Sequence, residues 1–313
     1  MKIWHITLFY LITLITQQTT GLAAILPAPQ KIAAHSYAWI GPLAGPSFEN
    51  NGFRMNLGFI VGAKSVLVVD TGYSVEMAQE MIRHIRAITK LPIKYAVNTN
   101  SQAHRFYGNV VFKKQGAVLI SHPDELKRMD KLNGIYSSTI ETILKRKKDS
   151  VALAVLPTML VTHKKTLNLG NLKVVLKTLG AAHTPAPLVV QVAQDKILFA
   201  GDILYGDRLL SVIEDSNVVQ WIQSYQKLKQ FKAYTMIPGH GQVGPLSDFD
   251  FPTLSYLQLL QQHMSTQVAK DAGANAAIQS LDQSAYSNLV NFTSLAGKNA
   301  SWSYLQAESA AFD

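Results

Sequence analysis

Thr99-Asn100-Ser101-Gln102-Ala103-His104-Arg105 is the stretch on which the reading of this chain turns. It follows Ile93-Lys94-Tyr95-Ala96-Val97, a short apolar run that reads as a buried strand. Polar side chains on a loop at a strand end are where a rigid sheet presents chemistry. Three further stretches accompany it. Val66-Leu67-Val68-Val69 is continuously apolar, as a strand buried on both faces should be, and runs into Asp70-Thr71-Gly72. Ala182-His183-Thr184-Pro185 lies downstream. Ile197 to Ala200 then leads into Gly201-Asp202, and a last short strand leads into Pro238-Gly239-His240-Gly241.

Outward from these points, strands are expected at 37–40, 55–61, 65–69, 93–97 and 117–120. Ser74 caps a helix whose apolar face is Met77, Met81, Ile82, Ile85 and Ile88. A polar loop is expected over 98–105 and a short helix from there to about 114, and Pro123 opens a long basic one reaching about 148. The second half gives strands at 159–163 and 172–178, a hairpin of 188–192 with 196–200, a helix over 218–231 and a strand at 234–237. From about 251 the pattern is helical. Two clusters of buried strands, each followed by helices, predict an α/β fold with four layers, αββα, plus C-terminal helices.

The 313 residues are 48% hydrophobic and 16% charged, which suits one globular domain over 24–313 with 249–313 as a helical C-terminal extension. The formal charge is +9, but the positives are dispersed except for Lys145-Arg146-Lys147-Lys148. No aromatic residues interleave with that run, so it reads as a solvated helix end and not a nucleic-acid platform. There is no cysteine, which excludes disulfides, thiolate-held clusters, thiol nucleophiles and Cys-ligated zinc. No Gly-x-Ser-x-Gly elbow supports a serine hydrolase. At the N-terminus, Lys2, an apolar stretch over 3–15 and Gly21-Leu22-Ala23 read as a signal peptide, residues 1–23, cleaved after Ala23 or Ala24; an uncleaved anchor is the competing reading. Cleavage would release a secreted protein, most naturally to a periplasm, with no later membrane segment.

Taken in order, Val68-Val69-Asp70-Thr71-Gly72, Val97-Asn98-Thr99 with Gly108-Asn109, Ala182-His183-Thr184-Pro185, and Ala200-Gly201-Asp202 with Pro238-Gly239-His240-Gly241 resemble the metallo-β-lactamase superfamily over residues 53 to 245. The whole chain also resembles the periplasmic quinoprotein relay system zinc metallohydrolases. Its leader, the 98–109 segment and the tail Asn299-Ala300-Ser301-Trp302-Ser303-Tyr304-Leu305-Gln306 carry that narrower likeness. The resemblance implies an αββα sandwich and two metal ions, which hold a hydroxide for attack on a carbonyl or similar centre. Its loop reads Thr-His-x-His-x-Asp-His.

Against that pattern this loop is degenerate. Asn100 and Gln102 replace the two histidines of the first metal, and amide oxygens are poor zinc ligands. His104 takes the aspartate position and Arg105 the final histidine. The resemblance leaves His183 for the first metal, Asp202 as bridging carboxylate, His240 for the second metal and Asp70 as a supporting residue. The first site is therefore judged lost. The second could survive as His104, Asp202 and His240, a plausible set for a single zinc or iron ion, with Asp202 and His104 as candidate catalytic residues. A hydrogen-bonded structural role is the alternative for His104. Arg105 is always charged. A unit charge about 6 Å from a dication opposes binding by roughly 5 kcal/mol at an effective dielectric of 20. Arg105 either swings to the cleft mouth and binds an anionic substrate, or pairs with Asp202 in place of a metal. Two functions follow: a hydrolase of small molecules with a mononuclear or atypical metal site, or a metal-free relative that binds a small molecule or partner.

Overall fold

The computed structural model describes residues 24–312; the proposed leader lies outside them. Two sheets face each other. The first has seven strands in sequential order: β1 (Gln30–Lys31), β2 (Ser36–Trp39), β3 (Leu57–Val61), β4 (Val66–Val69), β5 (Ile93–Val97), β6 (Val118–Ser121) and β7 (Met159–Leu160). It is antiparallel from β1 to β4 and parallel from β4 to β7. The second sheet runs β12 (Thr235–His240), β11 (Ile197–Tyr205), β10 (Leu188–Val192), β9 (Lys173–Thr178), β8 (Lys164–Asn168). Only its β11–β12 pair is parallel.

The apolar runs are buried on both faces because each sheet has a partner on both sides. Along β4, Leu67 and Val69 point into the space between the sheets, with Ile60, Val97, Leu176, Val190 and Phe199. Val66 and Val68 point the other way, onto Met77, Ala78, Met81 and Ile85 of α1 (Val75–Ile88). On β11, Ile197 and Phe199 face inward, while Leu198 and Ala200 face Trp221, Tyr225 and Leu228 of α5 (Val218–Leu228). Outside the first sheet lie α1, α2 (Ala103–Phe106), α3 (Asn109–Lys114) and α4 (Pro123–Ile143). Outside the second lie α5, α6 (Tyr256–Ala269), α7 (Ala274–Gln279) and α8 (Phe292–Phe312). These are the four expected layers. Among the described residues no helix is long and apolar enough to cross a membrane.

Local differences from the sequence expectation have physical causes. β8 was not anticipated because only Leu167 of its residues is buried; it is an edge strand whose lysines face solvent. The helix expected after Arg105 starts only at Asn109, as α3, and the end of the expected loop forms a short helix of its own, α2, the two parted at Tyr107-Gly108. α4 stops at Ile143, and Lys145 takes a left-handed conformation (φ 51°). The basic run beyond it is partly engaged: Lys145 lies over Phe48, and Arg146 pairs with Glu76 at 2.8 Å. β11 runs on to Tyr205, through an irregularity at Gly201 (φ 54°), so Asp202 sits within a strand.

The ends of β4, β5 and β12 and the second half of β11 meet at one rim, where the sheets are stitched together. Leu188 N–H donates to Thr99 O at 2.8 Å, Asn56 N–H to Gly239 O at 2.9 Å, and the Asn56 amide to the Pro238 and Gly241 carbonyls. Gly108 allows the 98–109 loop to lie against the Asp70-Thr71-Gly72 turn: a Cβ there would run into the Thr71 carbonyl and meet Ala78 Cβ at 2.6 Å. Gly108→Ala should therefore destabilise the fold by about 1–3 kcal/mol, the usual penalty for overpacking. An unchanged urea midpoint would show that this approach is not tight.

Candidate functional site

Asp202 stands at the centre of this rim, fully buried. A buried carboxylate needs a counter-charge and hydrogen bonds. Arg105, from α2, supplies both: Nη2 donates to Asp202 Oδ1 at 2.5 Å and Nε to Oδ2 at 3.3 Å. Its remaining donors reach Gly239 O (3.1 Å), Asn56 O (2.8 Å) and Asp70 Oδ2 (3.1 Å), so all five N–H groups are engaged. The Arg105 carbonyl is pinned as well, accepting from Thr71 N–H and the Asn98 amide. Arg105 at the cleft mouth, gripping substrate, is therefore corrected: two buried carboxylates hold the guanidinium inside, and no N–H is left for a ligand.

Burial works against the Asp202 charge, but Arg105 and the neighbouring histidines hold its carboxyl well below the usual range. Asp70 sits in a left-handed conformation (φ 61°) just past β4 and accepts from Thr99 N–H (2.7 Å) and Oγ1 (2.8 Å). Burial nevertheless pushes it up to about 6, against the pull of Arg105 and Thr99. Asn100 donates its amide N–H to Asp202 Oδ2 at 2.7 Å, while its oxygen accepts from Gln102 N–H. The oxygen that would have to bind a first metal is thus turned back onto its own loop.

Three imidazoles surround the carboxylate. His240 Nδ1 is 2.7 Å from Arg54 O, and His183 Nδ1 is 2.8 Å from Ser211 O. A carbonyl partner assigns the proton to Nδ1 and leaves Nε2 with its lone pair. His240 Nε2 lies 3.4 Å from Asp202 Oδ1; His104 Nε2 lies 3.8 Å from Oδ2, too long for a hydrogen bond, and is buried without a partner. Burial keeps all three rings neutral, lowering His104 to about 3, His183 to about 4 and His240 well below its usual value. Ligand atoms of His104, Asp202 and His240 lie within 4.8 Å of one another, a group that could hold a metal ion. His183 is not in that group. It packs beside it, edge-on to Tyr205, whose ring stacks on His240 at 5.1 Å.

Several supporting residues escaped the sequence reading. Glu125 on α4 accepts from Ser101 N–H and Oγ and from Ala186 N–H, tying the first loop to the His183 loop. Asn299 on α8 accepts from Val212 N–H and donates to Leu210 O, both at 2.8 Å; it fixes the turn whose Ser211 carbonyl orients His183. Its only sequence signal was its place in the 299–306 tail. Arg54 and Arg208 also border the site.

A model of the metallo-beta-lactamase superfamily matches residues 52–240. A Bacillus cereus protein described as metallo-beta-lactamase type 2 is 24% identical over 235 residues, 74% of this chain and 81% of its own length. A linear primary-alkylsulfatase from Pseudomonas sp. is 23% identical over 215 residues, covering 58% of this chain and 40% of the relative. Among solved structures, a metallo-beta-lactamase from Pontibacter korlensis has 21% identity and a TM-score of 0.57, covering 74% of this chain and 98% of its own. One from Pseudomonas aeruginosa, in the mono-zinc form, has 18% identity and a TM-score of 0.58, covering 74% and 94%.

Removing Arg105 strands two buried carboxylates, so Arg105→Met should destabilise the protein by about 3–5 kcal/mol. Arg105→Lys, without the planar fork, should recover only part of this. A loss under about 1 kcal/mol in urea unfolding would mean the pair is not structural. The neutral histidines set a pH dependence for chelator-treated protein. Unfolded imidazoles protonate near 6.5, but the folded ones do so only at lower pH. Their contribution is whole above about pH 6.5 and is lost as pH falls, at about 1.4 kcal/mol per unit for each ring. Asp70, raised to about 6, has the opposite sign below that pH and offsets one of the three. Urea midpoints at pH 7 and 5 should therefore fall on acidification; a flat or rising profile would contradict the neutral-ring assignment.

Proposed function

The chain belongs to the metallo-β-lactamase superfamily, and we propose that it is a secreted small-molecule hydrolase working with one divalent metal ion, held by His104, Asp202 and His240. The observation that carries this reading is the placement of His104 Nε2 and His240 Nε2 beside Asp202, 3.8 and 3.4 Å from its oxygens, with His104 Nε2 buried and without a hydrogen-bond partner. Two neutral imidazoles and a carboxylate form a donor set that suits zinc, and also iron. A divalent ion there would supply a water molecule of lowered pKa.

The remaining residues prepare that position. Arg54 O fixes the His240 tautomer, and Arg105 with Asn100 holds Asp202 ionised and immobile. Asn100 facing Asp202 by its N–H removes the first metal's ligand, which favours one ion over two. Asp202 and His104 are the groups placed to orient attacking water. The relative solved with a single zinc ion supports the compatibility of this fold with one metal.

A second reading is favoured by Arg105 itself. Its charge on Asp202 opposes a dication by roughly 5 kcal/mol at an effective dielectric of 20, and the protein would then be a metal-free binding module. Metal analysis of protein purified with neither added metal nor chelator separates the two. Near-stoichiometric zinc or iron, lost in His240→Ala, with a melting temperature lowered by chelator, is the expected result. Less than about a tenth of an equivalent, with chelator-insensitive melting, would remove the metal mechanism. Asn100→His, Gln102→His, His104→Asp and Arg105→His together should raise metal uptake, provided the variant folds.

A further inference from the structure

Glu80 lies on the buried face of α1, beside Met77, Met81 and Ile85, and is only 5% exposed. Glutamate is rarely buried unless it is paired. Among the described residues no side-chain cation stands within hydrogen-bond distance of it. Arg83 Nη2 comes to 3.8 Å from Oε2, but its side chain is 67% exposed and belongs largely to water. His84 Nε2 is 3.9 Å from Oε1. The His84 Nδ1 accepts from Trp39 Nε1 at 3.0 Å, and burial lowers the pKa of the ring, so it carries no charge at pH 7. The one hydrogen bond to the carboxylate comes from the backbone: Ile25 N–H donates to Oε2 at 2.9 Å.

That nitrogen stands where the chain enters the fold. Ala24 is exposed, Ile25 is partly buried against the cluster of Trp39, Met77 and Met81, and Leu26 is 2% exposed. Pro27 and Pro29 stiffen the path from there to β1 and so fix where it begins. Two cleavage points are open on sequence grounds, after Ala23 or after Ala24. A cut after Ala23 leaves the new ammonium on Ala24, outside the fold, and Ile25 still offers Glu80 a neutral amide. A cut after Ala24 puts the ammonium on the very atom that lies 2.9 Å from the carboxylate. A hydrogen bond with a charged donor is roughly twice as strong as a neutral one, and a buried acid has the most to gain from it.

We propose that cleavage after Ala24 makes Ile25 the first residue of the mature protein and that Glu80 binds its α-ammonium, on the reading that the chain starts with a removable leader. Hydrolysis of the Ala24–Ile25 bond by the peptidase of the export machinery takes up one water. Ala24 leaves with a carboxylate, and the Ile25 nitrogen becomes –NH3+. Glu80 gains the counter-charge it lacks, and the N-terminal segment is tied to α1. Leader removal thus completes the fold at this point.

The first test is the intact mass of protein exported from bacterial cells with its own leader, which should correspond to a chain starting at Ile25. A start at Ala24 or elsewhere overturns the proposal and leaves the leader reading standing; a retained leader overturns both. The second test compares the melting temperatures of chains released from a fusion tag at Ile25 and at Ala24. The Ile25 chain should melt about 2–4 °C higher, and Glu80→Gln should abolish the difference. Equal melting, or a difference that persists in Glu80→Gln, overturns the proposal. Arg83→Gln should leave the difference intact; its disappearance there would make Arg83 the counter-ion and overturn it too. A third readout does not depend on stability. The Ile25 α-amine, its pKa raised from about 8 by the carboxylate, should be acetylated about tenfold more slowly at pH 7.5 than in Glu80→Gln, as one pKa unit implies. Equal rates would show a free terminus and contradict the pairing.

Discussion

The contact between Arg105 and Asp202 is the constraint on which the rest of this site depends. A carboxylate buried in the middle of a strand is tolerable only with a charge beside it. Here that charge is covalently part of the chain. It is carried on α2, bonded to two carboxylates and two carbonyls, and cannot be lost or exchanged. Asp202 is thereby kept ionised and fixed in direction. On the carboxylate's other side lie His104 Nε2 and His240 Nε2, 3.8 and 3.4 Å from its oxygens.

The scaffold delivers these groups from distant parts of the sequence. Asp70, Asn100, Arg105, Asp202 and His240 come from the ends or turns of four strands in two sheets, and Asn56 and Thr99 bond the sheets together at that rim. Two of the three histidines are oriented by carbonyls that are themselves held elsewhere: His240 through Arg54, and His183 through a turn clamped by Asn299 of α8. The C-terminal helices therefore contribute to the site as well as covering the second sheet.

Much of the fold was legible because burial on both faces writes a strong signal: Val66 to Val69 and Ile197 to Ala200 are uninterrupted apolar runs. β8 was not legible, because an edge strand with one buried residue resembles a loop. The extension of β11 through Gly201-Asp202 was hidden by a glycine and an acid that ordinarily end strands. At the site, spacing and resemblance pointed to His104, Asp202 and His240, which the fold brings together, and to His183, which packs beside that group and not in it. The direction of Arg105 was not legible, since it is set by Asp202 and Asp70, 97 and 35 positions away in sequence. Arg54, Glu125 and Asn299 were invisible for the same reason: their roles come from long-range burial, and nothing in their local sequence marks it.

With Arg105 as the fixed counter-ion of Asp202, a metal ion would sit alone on the histidine side. Anomalous diffraction at the zinc edge, from crystals grown with zinc, tests this most directly. One peak is expected, ligated by His104, Asp202 and His240, with Arg105 still hydrogen-bonded to Asp202. Two peaks, or a single peak on the Asn100–His183 side with Arg105 displaced from Asp202, would contradict it.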